Sequence, residues 1–232
     1  MTIKLDGKQV APFHYRDSKI CFYHKIFAMK RKQETVGAIV YGSPPLAVTG
    51  RRKALGRNVP IQEVNRDFIR ISRVVIHPKY RTIGLGAKIV AETLQYAGKP
   101  YVETVAVMAK YNPFFERAGM EKITETIPDP KTLKIIKKLK DLNFNPVFLT
   151  SQKMNLHHLE NMTQKEIKQA KEALKQVSGI YRKRIISVKQ AFVKKADYAQ
   201  VIDEADNSKL AKMLRILGFL AQTKVYLLWK KE

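Results

Sequence analysis

Val74-Val75-Ile76-His77-Pro78-Lys79-Tyr80-Arg81-Thr82-Ile83-Gly84-Leu85-Gly86 carries three signals in succession: an apolar β-branched segment, a proline turn, and glycines at alternate positions opening a helix. Phe68–Ile76 reads as a strand whose end is apolar on both faces, as at the centre of a sheet. His77-Pro78 ends it. Downstream, Leu85, Ile89, Val90, Thr93 and Leu94 recur at helical spacing until Gly98 and Pro100 stop the helix. A helix N-terminus offers unpaired N–H groups and a partial positive charge, and glycines let a phosphate approach the backbone. The stretch is therefore a candidate pyrophosphate cradle; the alternative is that Gly84 and Gly86 serve a helix start packed closely on the sheet. Its spacing, Arg-x-x-Gly-x-Gly, is neither a P-loop nor the dinucleotide fingerprint.

Working outward, Ile20–Met29 and Thr35–Tyr41 are rich in β-branched and aromatic residues and predict a hairpin across Lys30–Glu34. Between this hairpin and Phe68, the prolines Pro44 and Pro45, the glycines Gly50 and Gly56, and the cations Arg51, Arg52, Lys53 and Arg57 predict a basic loop. Such a loop suits phosphate contacts, a flexible surface loop being the plainer alternative. On the other side, Val102–Met108 predicts a second buried strand. Asn112 as N-cap, Pro113 at the first helical position and Gly119 as stop predict a short helix over Pro113–Ala118. Met120–Thr126 follows as a strand.

Beyond Pro128 the chain turns to Lys-rich helices. One carries Lys131, Lys134, Lys137, Lys138 and Lys140; a second opens on the capping box Thr163-Gln164-Lys165-Glu166 and runs to about Val177. Others are expected over Tyr181–Ala191, with Arg182, Lys183 and Arg184, and over Asn207–Leu217. Thr223–Trp229 is strand-like and has nothing to pair with in a helical tail, so it must return to the earlier sheet. The expected fold class is α/β (α+β): a mixed, mostly antiparallel sheet flanked by helices in residues 1–127, a basic helical insertion at 128–222, and a final strand in 223–232 completing the sheet.

Lys and Arg number 44 of the 232 residues against 20 Asp and Glu, giving a net charge of +24. The excess is spread over both halves. With 45% hydrophobic residues, a disordered polycation is excluded. Charge of this size predicts a polyanionic partner, nucleic acid first; the alternative, a solvated Lys-rich surface, usually balances Lys with Glu. The lone cysteine, Cys21, excludes an intrachain disulfide framework and agrees with a reducing, cytoplasmic setting. The start Met-Thr-Ile-Lys-Leu-Asp-Gly-Lys has no apolar h-region and no apolar run approaches a membrane span, so neither secretion nor membrane insertion is expected. His157-His158 reads as a solvated pair, and no metal site is expected.

On these residues the sequence resembles the GNAT acyltransferase superfamily. The family's acyl-CoA signature is a strand followed by Arg/Gln-x-x-Gly-x-Gly/Ala opening a helix, often preceded by Val-x-Pro-x-Tyr-Arg, as in Val75–Gly86. Val105-Ala106-Val107-Met108 and Tyr111-Asn112-Pro113-Phe114-Phe115-Glu116-Arg117-Ala118-Gly119-Met120 resemble its next strand and helix. The likeness covers about residues 20–126 and the terminal strand. A nearer likeness is to the acetyltransferase-like domain fused to ABC-type ATPases in some archaeal proteins, which carries similar Ser-Pro-Pro-Leu and Tyr-Asn-Pro-Phe-Phe elements. No ATPase motif stands in this chain, so an ATPase would be a partner in trans.

The resemblance implies an N-acetyltransferase using acetyl-CoA or another acyl-CoA. The backbone of Thr82, Ile83, Gly84, Leu85 and Gly86 would hold the pyrophosphate, with Arg81 at the head of the turn and Asn112 as a further contact. Main-chain groups of Val74 and Ile76 would pair with the pantetheine in a cleft between splayed strands. The family's thiolate-donating tyrosine falls at Phe115 and its strand asparagine at Met108, two departures. Tyr111 is the candidate phenol, with packing on the sheet as its other reading; Glu63, Glu103 and His77 are candidate bases. The expected acceptor is a nucleic acid, RNA or tRNA before a DNA base, or a nucleoprotein. Arg51, Arg52, Lys53, Arg57, Lys134, Lys137, Lys138, Arg182 and Arg184 would contact it. Two alternatives stand beside this: a non-catalytic nucleic-acid-binding module on a degenerate GNAT fold, and a protein N-acetyltransferase, whose basic substrates a basic enzyme would repel.

Overall fold

A computed structural model describes residues 23–187 and 193–232. Cys21, the N-terminal segment, the first residues of the expected strand Ile20–Met29 and the end of the expected helix Tyr181–Ala191 lie outside the described residues. The chain divides into two units: one takes in the residues up to Thr126 together with Lys224–Glu232, the other Ile127–Thr223.

In the first unit, β1 (Tyr23–Arg31) and β2 (Glu34–Gly42) form a hairpin whose turn residue Lys32 has φ 54°. Two helices follow, α1 (Thr49–Leu55) and α2 (Ile61–Asp67), then β3 (Phe68–Ile76), α3 (Leu85–Leu94), β4 (Tyr101–Ala106), the single turn α4 (Phe114–Arg117) and β5 (Glu121–Thr126). The second unit contributes α5 (Pro130–Asp141), α6 (Gln152–Glu160), α7 (Gln164–Lys175), α8 (Gly179–Ile185), α9 (Lys195–Asp203) and α10 (Asn207–Leu220), after which β6 (Lys224–Lys230) rejoins the first. The six strands make one sheet in the order β1-β2-β3-β4-β6-β5, antiparallel throughout except for the β3–β4 pair. It is a mixed, mostly antiparallel sheet flanked by helices. β6 lies inside it, antiparallel to both β4 and β5.

Apolar alternation explains both faces of the sheet. Ile69 and Ile71 of β3 and Val102 of β4 share a core with Ile89, Val90 and Leu94, the buried stripe of α3. On the opposite face Phe68, Tyr226 and Leu228 are covered by Ala54 and Leu55 of α1. Here the sequence expectation is corrected, because Arg51, Arg52 and Lys53 lie in a helix, not a loop. The glycines do not break it: Gly56 is its left-handed C-cap at φ 69°, and Gly50 lets α1 press on Tyr226, whose ring lies 2.2 Å from where a Cβ would stand. A second correction concerns Asn112. Pro113 takes the N-cap position of α4 and Asn112 makes no cap.

The second unit has its own core, including Ile135, Leu139, Leu174, Tyr198, Ile202 and Leu214. The capping box is formed, with Thr163 accepting from the Glu166 N–H and Glu166 from the Thr163 N–H. α8 stops at Ile185, short of the expected Ala191, and Ser187 has φ 57°. Among the described residues no helix is long and apolar enough to cross a membrane.

Candidate functional site

The site begins where two neighbouring strands part. β3 and β4 run parallel and pair at Phe68↔Tyr101, Ile69↔Val102 and Arg70↔Glu103, then separate although both continue. This is not fraying at a free edge: β2 holds β3 as far as Ile76, and β6 holds β4 as far as Ala106. At the point of separation the Thr104 hydroxyl donates to the Ile71 carbonyl at 3.1 Å. Beyond it a cleft of about 610 Å3 opens, within the range of small-molecule sites.

The phase of pairing settles which main-chain groups face this cleft. His77 donates its N–H to Val36, so in an antiparallel ladder the alternate residues Val75 and Arg73 also turn their main chain toward β2. Val74 and Ile76 therefore turn theirs toward the gap. Backbone polar groups seek partners, and an extended ligand carrying amides matches them as an added strand would. Ser72, the extra residue of a bulge opposite Val40 and Tyr41, donates its hydroxyl to the Val40 carbonyl at 3.0 Å.

The cleft leads to the turn before α3. Arg81 donates from Nε to the Ile76 carbonyl at 3.0 Å, tying the head of the turn to the strand end. Thr82 has φ 71° and Gly84 φ 86°, with Ile83 between them. Alternation of left-handed residues turns successive N–H groups to one side, an arrangement that attracts anions. The first intrahelical bond runs from Lys88 to the Gly84 carbonyl, which leaves the N–H groups of Leu85, Gly86 and Ala87 without an intrahelical acceptor at the positive end of the helix. Close packing does not explain the glycines. A Cβ on Gly84 meets nothing within 4 Å, and one on Gly86 meets the Phe114 ring at an ordinary 3.5 Å.

Of the expected cofactor contacts, Val74, Ile76, Arg81, Thr82, Gly84, Leu85, Gly86 and Asn112 line this cleft. Ile83 does not; its side chain is 66% exposed. Sequence reasoning missed Arg73, Thr104 and Arg117, which also line it. A cation inside the apolar run Ile71–Ile76 was the available signal for Arg73; nothing local marked the other two.

The expected catalytic residues are elsewhere. Glu103 is buried on the α1 side of the sheet, where Arg51 donates to both its oxygens at 2.8 and 2.6 Å and the Tyr226 hydroxyl donates at 2.9 Å. Arg51 also donates to the Pro45 and Leu46 carbonyls. Burial, then the charge of Glu103, push the Tyr226 phenol far up. Glu103 as cleft base and Arg51 as nucleic-acid contact are therefore corrected: each occupies the other. Glu63 lies on α2 in a fork with Arg57, and that hydrogen-bonded pairing holds its carboxyl below the usual carboxylate range. Tyr111 is 74% exposed and does not line the cleft. His77 accepts from the Lys79 N–H at 3.3 Å and is likewise outside the lining. Phe115 and Met108, the two positions at which the sequence departs from the pattern it resembles, both line the cleft, Phe115 being buried and Met108 exposed.

The remaining cations are distributed over both units. Arg52 and Lys53 are exposed on α1, Lys53 reaching the Thr124 hydroxyl at 2.9 Å. On α5, Lys134, Lys137 and Lys138 are exposed opposite the buried Thr132, Ile135 and Leu139; Lys138 donates to Gln176. On α8, Arg184 is exposed and Arg182 half-buried, 5.9 Å from the Tyr198 ring centre. Among the described residues no group of His, Cys, Asp and Glu is placed to hold a metal. No protein-family model matches the chain, and no curated protein matches it.

Proposed function

We propose that the first unit is an acyltransferase of the GNAT type, which takes an acyl group from acetyl-CoA or another acyl-CoA and passes it to nitrogen on a nucleic acid, RNA before DNA. One observation carries the acyl-CoA half: β3 and β4 part between anchored outer edges, and the gap runs from the main chain of Val74 and Ile76 to the N–H groups at the start of α3. Such a gap suits the two amides of pantetheine, and such a helix start suits a pyrophosphate. The nucleic-acid half is supported by the net charge of +24, by Arg73, Arg81 and Arg117 along the cleft, and by the exposed cations of α1 and α5. An ATPase acting in trans and a cytoplasmic setting complete the proposal.

Two measurements test it together. Calorimetry of the full chain with acetyl-CoA is expected to show binding that Gly84→Glu abolishes; intact affinity in that variant would remove the pyrophosphate assignment. Labelled acetyl-CoA offered with total RNA, DNA and protein is expected to label nucleic acid. A second reading, a non-catalytic nucleic-acid-binding module, is favoured by Phe115 and by the outward position of Tyr111. Salt-sensitive nucleic-acid binding without CoA binding would establish it instead.

A further inference from the structure

Thr104 stands one residue beyond the last rung between β3 and β4. In the register Phe68↔Tyr101, Ile69↔Val102, Arg70↔Glu103 it would face Ile71, where the two main chains no longer pair. Its side-chain hydroxyl donates to the Ile71 carbonyl at 3.1 Å instead. The height of Thr104 on the ladder is fixed from the α1 side through Glu103, the residue before it. Glu103 accepts from Arg51 at 2.8 and 2.6 Å and from the Tyr226 hydroxyl at 2.9 Å. The Arg51 guanidinium also lies 5.2 Å from the ring centre of Phe68, on the first rung of β3, so α1 holds both strands where they pair. Thr104 itself is 3% exposed and lines the cleft. Valine suits a buried strand position as well and brings no hydroxyl that needs a partner. Packing alone therefore does not account for the threonine.

Main-chain groups seek partners, so two strands lying side by side tend to go on pairing. Zipping of β3 onto β4 would occupy the groups of Val74 and Ile76 that an extended ligand needs. Resting on the acyl-CoA half of the proposed function, we infer that Thr104 is a positioning residue for the cofactor: its hydroxyl takes the Ile71 carbonyl, ends the β3–β4 ladder there and keeps the gap open for the pantetheine amides. Without that hydroxyl the Ile71 carbonyl turns to a main-chain N–H of β4, and the ladder grows into the gap.

The test compares the full chain with Thr104→Val, which keeps the side-chain shape and removes the hydroxyl, and with Thr104→Ser, which keeps the hydroxyl. Amide hydrogen exchange is read at Val74 and Ile76 without ligand, and acetyl-CoA affinity by calorimetry. Thr104→Val is expected to slow exchange at both amides by about 10-fold, the reverse of what a merely destabilising substitution does. The same variant is expected to bind acetyl-CoA about 10-fold more weakly, while Thr104→Ser stays within about 2-fold of the parent in both measurements. Exchange that is unchanged or faster in Thr104→Val overturns the inference, as does parental acetyl-CoA affinity in that variant, or Thr104→Ser behaving as Thr104→Val does. Absence of acetyl-CoA binding by the parent is a separate result: it removes the acyltransferase reading, and exchange at Val74 and Ile76 then decides by itself whether Thr104 holds the strands apart.

Discussion

Gly84 and Gly86 stand two residues apart and answer different demands. Gly84 holds φ 86°, where a side chain is strained, so Gly84→Ala is expected to cost about 1 kcal/mol in urea unfolding and to weaken CoA binding. Gly86 meets only an ordinary contact, so Gly86→Ala should leave stability unchanged or slightly raised while affinity falls. Equal affinity in both variants and the parent would show that the anion does not approach here. The buried Arg51–Glu103 pair behaves otherwise: Glu103→Gln strands a buried guanidinium and is expected to cost about 3–5 kcal/mol. Tyrosines set the alkaline limit. Burial raises Tyr41 to about 12 and pushes Tyr226 up as well, so the folded chain keeps protons that the unfolded chain loses from about pH 10. Their contribution is complete below pH 10 and lost as pH rises toward 12. The share of phenolate absorbance that belongs to the buried Tyr41, Tyr198 and Tyr226 should therefore appear only with alkaline unfolding, and ionisation of every tyrosine in the folded protein near pH 10 would contradict it. The glycine pair was legible in sequence because its spacing is local. The ion pair was not, since Arg51 and Glu103 lie 52 residues apart and each looked available.

Strong local patterns gave correct elements. Phe68–Ile76 has the same bounds in sequence and structure, α3 starts at Leu85 as its periodicity indicates, and the Thr163 box opens α7. The α1 helix escaped notice because Gly50, read as punctuation, is a contact with Tyr226 on a strand formed at the far end of the chain. The α6 and α9 helices carry too weak an apolar stripe to announce themselves, with His157 and His158 in one and Asp197 and Asp203 in the other. Nor does any residue pattern state that β3 and β4 pair for three positions and then part; register is a property of two strands together. The α5 helix shows how an element's charge is tested. Replacing Lys134, Lys137 and Lys138 by Gln is expected to lower the slope of log K against log salt by up to about 0.9 per charge on duplex nucleic acid. Unfolding free energy should move by less than about 0.5 kcal/mol, since all three are exposed and the one bond lost, from Lys138 to Gln176, lies at the surface. An unchanged slope would place the binding face elsewhere.

Thr126 at the end of β5 and Lys224 at the start of β6 are partners across the same ladder. The whole of Ile127–Thr223 thus leaves and re-enters at the position of a hairpin turn. Replacing it by Asn-Gly, the residues a two-residue hairpin turn prefers, is expected to give a chain that unfolds cooperatively and still binds acetyl-CoA. Its nucleic-acid affinity should fall. Loss of cooperative unfolding in that variant would mean that the sheet depends on the inserted unit. The same arrangement imposes an order in time. Among the described residues β5 has only β6 as a sheet neighbour, and β6 is made after the entire insertion. At ordinary synthesis rates the nascent β5 waits on the order of 10 s for its partner. A strand left open that long invites pairing with other chains, and β5 is built to refuse it: Glu121, Lys122 and Glu125 line a strand with no fully buried residue. The charges that guard the finished edge of the sheet also guard it on the ribosome.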